Sequence, residues 1–101
     1  MLELRPTCEN CSIALPPEST EAMICSFECT FCRACVNRLD NVCPNCGGGF
    51  SPRPIRPQTN WHDGNNLAAY PASTTVRERP VDFDTHAALR ERVAGRAPAQ
   101  R

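Results

Sequence analysis

Cys25-Ser26-Phe27-Glu28-Cys29-Thr30-Phe31-Cys32-Arg33-Ala34-Cys35 sets four cysteines into eleven residues, with gaps of three, two and two. Outward from it, Cys8-Glu9-Asn10-Cys11 lies thirteen residues upstream and Cys43-Pro44-Asn45-Cys46 seven residues downstream. The array is four pairs, C-x2-C, C-x3-C, C-x2-C and C-x2-C, and it uses all eight cysteines of the chain. A gap of two or three residues makes a tight turn, in which both thiolates reach one ion at about 2.3 Å. Cys46-Gly47 suits such a turn because glycine adopts positive φ without strain, and Pro44 presets a turn dihedral. Cys8, Cys11, Cys25, Cys29, Cys32, Cys35, Cys43 and Cys46 are therefore the candidate ligands of two ions, with Zn²⁺ the candidate metal. A site closed by four thiolates keeps no position for water or substrate, which points to structural metal and away from catalysis.

Disulfides are the competing use of eight cysteines, and the compartment decides between the two. The opening Met1-Leu2-Glu3-Leu4-Arg5-Pro6 has an early carboxylate and no apolar run after it. A secretory signal needs a basic start and an apolar stretch of about 7–15 residues, and no segment approaches the ~20 apolar residues of a membrane span. The expectation is a cytoplasmic protein in a reducing environment, where paired cysteines bind metal more often than each other. Metal also supplies what composition lacks, since the apolar residues are thin and segments below about 40–50 residues rarely fold unaided.

The formal net charge of zero conceals an asymmetry. Residues 1–50 carry three arginines against six carboxylates, and residues 51–101 carry eight arginines against five. Eight thiolates around two divalent ions take the first half to a charge of about −7, a poor surface for a polyanion. All eleven basic residues are arginine, which excludes a P-loop lysine or a Schiff-base lysine.

Between the ligands, Met23–Phe31 reads as a small β-hairpin with Phe27 and Phe31 as core candidates. Residues 33–40 read as a short helix burying Val36 and Leu39. Residues 51–60 hold prolines at 52, 54 and 57 and read as an extended linker. Residues 61–101 lack sustained periodicity and read as a mostly disordered polar tail, with a short helix over 84–94 between Asp84 and Gly95. His62 reads as a turn residue, His86 as solvated, and Trp61 as a side chain that folds back over the metal-bearing segment.

The order of the pairs resembles the RING-finger array. Cys29-Thr30-Phe31-Cys32-Arg33-Ala34-Cys35 mirrors its His-x-Phe-Cys-x-x-Cys, with cysteine in the histidine position, and Cys43-Pro44-Asn45-Cys46 mirrors its last pair. The resemblance covers residues 8–46 and implies a small metal-stabilised α+β fold, a treble-clef-related cross-brace. In it Cys8, Cys11, Cys32 and Cys35 share one ion while Cys25, Cys29, Cys43 and Cys46 share the other; spacing alone leaves sequential sites open. More closely, Leu2–Pro6, Ile24–Cys32, Cys43–Gly48 and Tyr70–Thr74 are similar to a small bacterial family catalogued as domain of unknown function 1272, which implies the metal site and no activity.

For function, the first expectation is a non-enzymatic protein-interaction or regulatory module on residues 1–50, its partner another protein. The alternatives are a nucleic-acid-binding zinc finger, resting on Arg53, Arg56 and the tail arginines, and a thiolate-based zinc or redox sensor. Ubiquitin-ligase-like activity is disfavoured. Glu9-Asn10 stands where such ligases carry an apolar residue, residues 36–39 hold no aromatic, and Gly47 stands in place of a basic residue.

Overall fold

The computed structural model describes residues 1–101. Two short strands, β1 (Ala22–Ile24) and β2 (Thr30–Cys32), pair antiparallel with Met23 opposite Phe31. The turn between them closes with Glu28 N–H donating to Cys25 O at 3.0 Å, and Glu28 takes a left-handed φ of 66°. β2 runs straight into helix α1 (Arg33–Arg38), which buries Cys35 and Val36, with Leu39 fully buried as its C-cap. Asp40 and Asn41 follow with φ of 53° and 56°; short polar side chains tolerate this region, and the reversal sends the chain back towards Cys43. A two-residue strand, β3 (Ser51–Pro52), adds to the free edge of β1, so the sheet order is β2-β1-β3. Pro52 has no amide hydrogen to donate, which confines it to an edge strand.

The core is small, since only 19 of 101 residues are buried. Its central cluster holds twelve residues, and six of them are cysteines: Cys8, Cys25, Cys29, Cys32, Cys35 and Cys43. Leu15, Ala22, Met23, Phe31, Val36 and Leu39 complete it, and Phe50 packs edge-on against Phe31 at 5.5 Å between ring centroids. Phe31 fills the core as the hairpin reading expects. Phe27 does not: it is 67% exposed. The turn between Cys25 and Cys29 aims its amide at the Cys25 sulfur, which leaves its ring at the outer tip.

Residues 51–60 are less a linker than a fastener. Arg53 is only 3% exposed, and its guanidinium donates to Arg5 O at 2.9 Å, Leu15 O at 3.1 Å and Pro16 O at 2.9 Å. Burial pulls its pKa down, and the three carbonyls offset the lost hydration. Arg56 likewise donates to Leu2 O at 2.8 Å and to Tyr70 O.

The polar tail is ordered, contrary to the compositional expectation. Ser73 N–H donates to Leu4 O at 3.0 Å, Arg79 N–H to Glu9 O at 2.7 Å and Val81 N–H to Asn10 Oδ1 at 2.8 Å. These are main-chain donors, so side-chain periodicity carries no trace of them. Helix α2 spans Phe83–Val93, and its N-cap is Asp82 rather than Asp84. The Asp82 carboxylate accepts from the amides of Asp84 and Thr85; the Thr85 hydroxyl and these amides hold its carboxyl below the usual carboxylate range. Ala94 (φ 54°) and Gly95 (φ 71°) end the helix in left-handed conformation. His86, expected in solvent, is 3% exposed and donates from Nε2 to Val42 O at 2.7 Å. Trp61 is 81% exposed and covers nothing. His62 lies on an exposed turn whose Gly64 amide donates to Asn60 Oδ1 at 2.9 Å.

Arg53→Ala strands three carbonyls without a donor and is expected to cost about 2–3 kcal/mol of stability. Arg53→Lys should restore only part of it, because one ammonium cannot span three acceptors in a planar fork. Denaturant midpoints of the metal-loaded proteins measure both.

Candidate metal centre

The two cysteine clusters are drawn from alternating pairs. The sulfurs of Cys8, Cys11, Cys32 and Cys35 all lie within 4.8 Å of one another. Cys8 and Cys11 sit on a turn in which Ser12 N–H donates to Cys8 O at 3.0 Å and Cys8 N–H to Ile13 O at 2.9 Å. Facing them, Cys32 ends β2 and Cys35 lies in the first turn of α1. Cys11 Sγ and Cys32 Sγ are 3.8 Å apart. A tetrahedron with metal–sulfur bonds of about 2.3 Å has edges of about 3.8 Å, so the spacing fits an enclosed ion.

The second cluster joins Cys25, directly after β1, to Cys43 and Cys46, again within 4.8 Å. Its loop is closed by Gly47 N–H donating to Cys43 O and Cys43 N–H to Gly48 O, both at 2.8 Å, with Gly47 at a φ of 77°. Cys29, expected as the fourth ligand here, is buried but lies outside the triad, since its sulfur is not within 4.8 Å of all three others. All eight cysteines are free thiols. Each cluster has one exposed member, Cys11 in the first and Cys46 in the second.

Donors are directed at the sulfurs. Phe27 N–H points to Cys25 Sγ at 3.3 Å, Gly48 N–H to Cys46 Sγ at 3.4 Å and Asn10 Nδ2 to Cys35 Sγ at 3.3 Å. A hydrogen bond from Ile13's amide lowers the Cys11 pKa. Burial pushes the Cys29, Cys32 and Cys43 thiols up and takes Cys35 to about 12. Sulfurs gathered this closely, with all but one of each cluster buried, cannot all be anions without a cation among them, whereas coordination deprotonates a thiol outright. The donor set fits a thiophilic divalent ion in each cluster.

Glu9 and Asn10, which in the sequence only depart from a ligase pattern, support the first cluster. Glu9 is 1% exposed, and its carboxylate accepts from Arg5 Nη1 at 2.8 Å and from the Thr30 amide. Its own amide donates to Thr30 O at 3.0 Å, tying the Cys8–Cys11 turn to β2. Asn10 links the Cys35 sulfur on one side to Val81 of the tail on the other. The one signal of this in the sequence is the i,i+4 pairing of Arg5 with Glu9. On the far side, a cavity of about 330 Å³ lies between Cys29, Phe31 and Pro44 on one wall and His86 and Leu89 of α2 on another.

With this geometry established, comparison with known proteins gives a class and then a relative. The chain belongs to the family described as Protein of unknown function (DUF1272), whose profile matches residues 1–56. It is similar to an uncharacterized protein of Rhizobium meliloti (strain 1021), 53% identical over 81 residues, covering 79% of this chain and 89% of that one. No solved structure matches it. No helix is long and apolar enough to cross a membrane.

Because ligand thiols must lose their protons, metal uptake is expected to release protons and the apparent affinity to rise from about pH 6 to about pH 8. Calorimetric titration in buffers of different ionisation enthalpy counts the protons released. An affinity flat across that range would contradict thiolate coordination.

Proposed function

We propose that this chain is a zinc-binding module of the cytoplasm in which two structural Zn²⁺ ions form a RING-like cross-brace and hold a surface for a protein partner. The observation that carries the reading is the alternation of the clusters. Cys8/Cys11 meets Cys32/Cys35, and Cys25 meets Cys43/Cys46, which is the order an interleaved pair of sites requires; the reading assigns Cys29 as the fourth ligand of the second site. Four-thiolate coordination leaves no open position, so the ions are read as structural and the protein as non-enzymatic. Coordination of this kind contributes about 10–16 kcal/mol to folding, which offsets the thinness of the core. Phe27 and Trp61 supply exposed aromatic side chains, the kind that anchor protein interfaces.

Two alternatives weigh differently. Nucleic-acid binding loses support because several of the arginines it would need are engaged: Arg53 is buried, Arg56 donates to carbonyls, Arg77 pairs with Glu3 and Arg90 with Asp40. A thiolate-based zinc or redox sensor keeps a specific observation in its favour, the exposure of Cys11 and Cys46, since oxidation of accessible zinc thiolates expels metal.

Elemental analysis and native mass spectrometry of anaerobically purified protein are expected to find two zinc ions per chain, with the fold lost on chelation. Iron with sulfide, or a metal-free chain with four disulfides, would overturn the reading. In parallel, mixed DNA and RNA at low salt should show no mobility shift with the loaded protein.

A further inference from the structure

The contacts of residues 83–101 converge on one loop. His86 Nε2–H donates to Val42 O at 2.7 Å, directly before Cys43. Arg101 Nη1 donates to Asn41 O at 2.7 Å and to Gly47 O at 3.2 Å, one residue past Cys46. Leu89 lies over Gly47, with its Cδ1 3.8 Å from where a Cβ would stand. The Pro98 ring occupies the space above Gly49, 2.7 Å from the corresponding position there. Arg90 reaches Asp40 at 3.4 Å, and Arg38 lies over the Phe83 ring at 4.2 Å. The tail thus holds residues 40–49 on both sides of Cys43 and Cys46. Contact with the first cluster's Cys8–Cys11 turn comes instead from Arg79 and Val81, upstream of α2.

We propose that residues 83–101 form a clamp that positions the second metal loop and selectively retains the ion held by Cys25, Cys29, Cys43 and Cys46; this rests on the zinc reading above. Metal leaves a closed site through local opening, and here the element that opens is the 40–49 loop. Contacts made only to the closed loop disfavour that opening, and by linkage they raise the affinity of the ion that the closed loop binds. The coupling is reciprocal, so loading the second site also seats α2. The cavity beside Cys29 means that the hold is made by His86, Arg101 and a few apolar contacts rather than by continuous packing. A hold of that kind is weak enough to be reversible. His86 and Arg101 are positioning residues and touch no metal.

The test follows ion loss from the zinc-loaded protein by native mass spectrometry in excess chelator. It compares the full chain with a chain ending at Asp82 and with Arg101→Ala. In the truncated chain one ion is expected to leave about tenfold faster while the other keeps its full-chain rate. Pulsed alkylation should mark Cys43 and Cys46 first. Arg101→Ala removes one exposed guanidinium and guards against a truncation that fails to fold; the same ion should leave faster, by a smaller factor. Unchanged release, or equal acceleration of both ions, would overturn the clamp alone. A full chain holding fewer than two zinc ions would overturn the zinc reading and the clamp with it.

Discussion

Everything in this fold depends on the convergence of sulfur atoms from distant parts of the chain. Half of the central core cluster is cysteine, so the packed interior and the candidate metal clusters are one object. The aliphatic and aromatic members, Leu15, Met23, Phe31, Val36 and Leu39, fill the spaces between thiols and are too few to enclose a core by themselves. Strands of three residues and a helix of six are far below the length at which such elements persist in isolation. They stand because Cys32 ends β2, Cys35 lies in α1 and Cys25 directly follows β1, and pinning those residues fixes the elements around them.

Around this centre, polar residues do the work that apolar packing does in larger domains. Glu9, Asn10, Arg53 and His86 each join segments distant in sequence through bonds to main-chain groups. A buried polar group costs free energy unless it is partnered, so each of these side chains fixes the position of what it touches as firmly as a hydrophobic contact would. The fold therefore resembles a frame bolted at a few points more than a filled interior.

That difference explains which features could be read from the chain. Cysteine spacing is a strong local signal, and seven of the eight residues it singled out gather into two clusters, Cys29 being the exception; the hairpin and α1 followed from what must fit between them. Phe31 was legible as a core residue, but Phe27 was not legible as a surface one, since a five-residue turn hides which way its middle points. The fastening role of Arg53 and Arg56 was hidden in residues that read as an extended linker, because carbonyl acceptors leave no imprint on composition. His86 and the ordering of the tail were missed for the same reason: amides of residues 73, 79 and 81 make the contacts, and any residue except proline has an amide to offer.

The alternation of the clusters also governs the order in which a growing chain can assemble. The first group stays incomplete until Cys35 has been synthesised and the second until Cys46, and Cys25 of the second lies inside the span of the first. The first group can therefore be complete while Cys25 still waits for Cys43 and Cys46. Residues 83–101 emerge after both groups, so during vectorial synthesis the chain passes through a window in which its sulfurs are all present and the segment that packs on residues 40–49 is not.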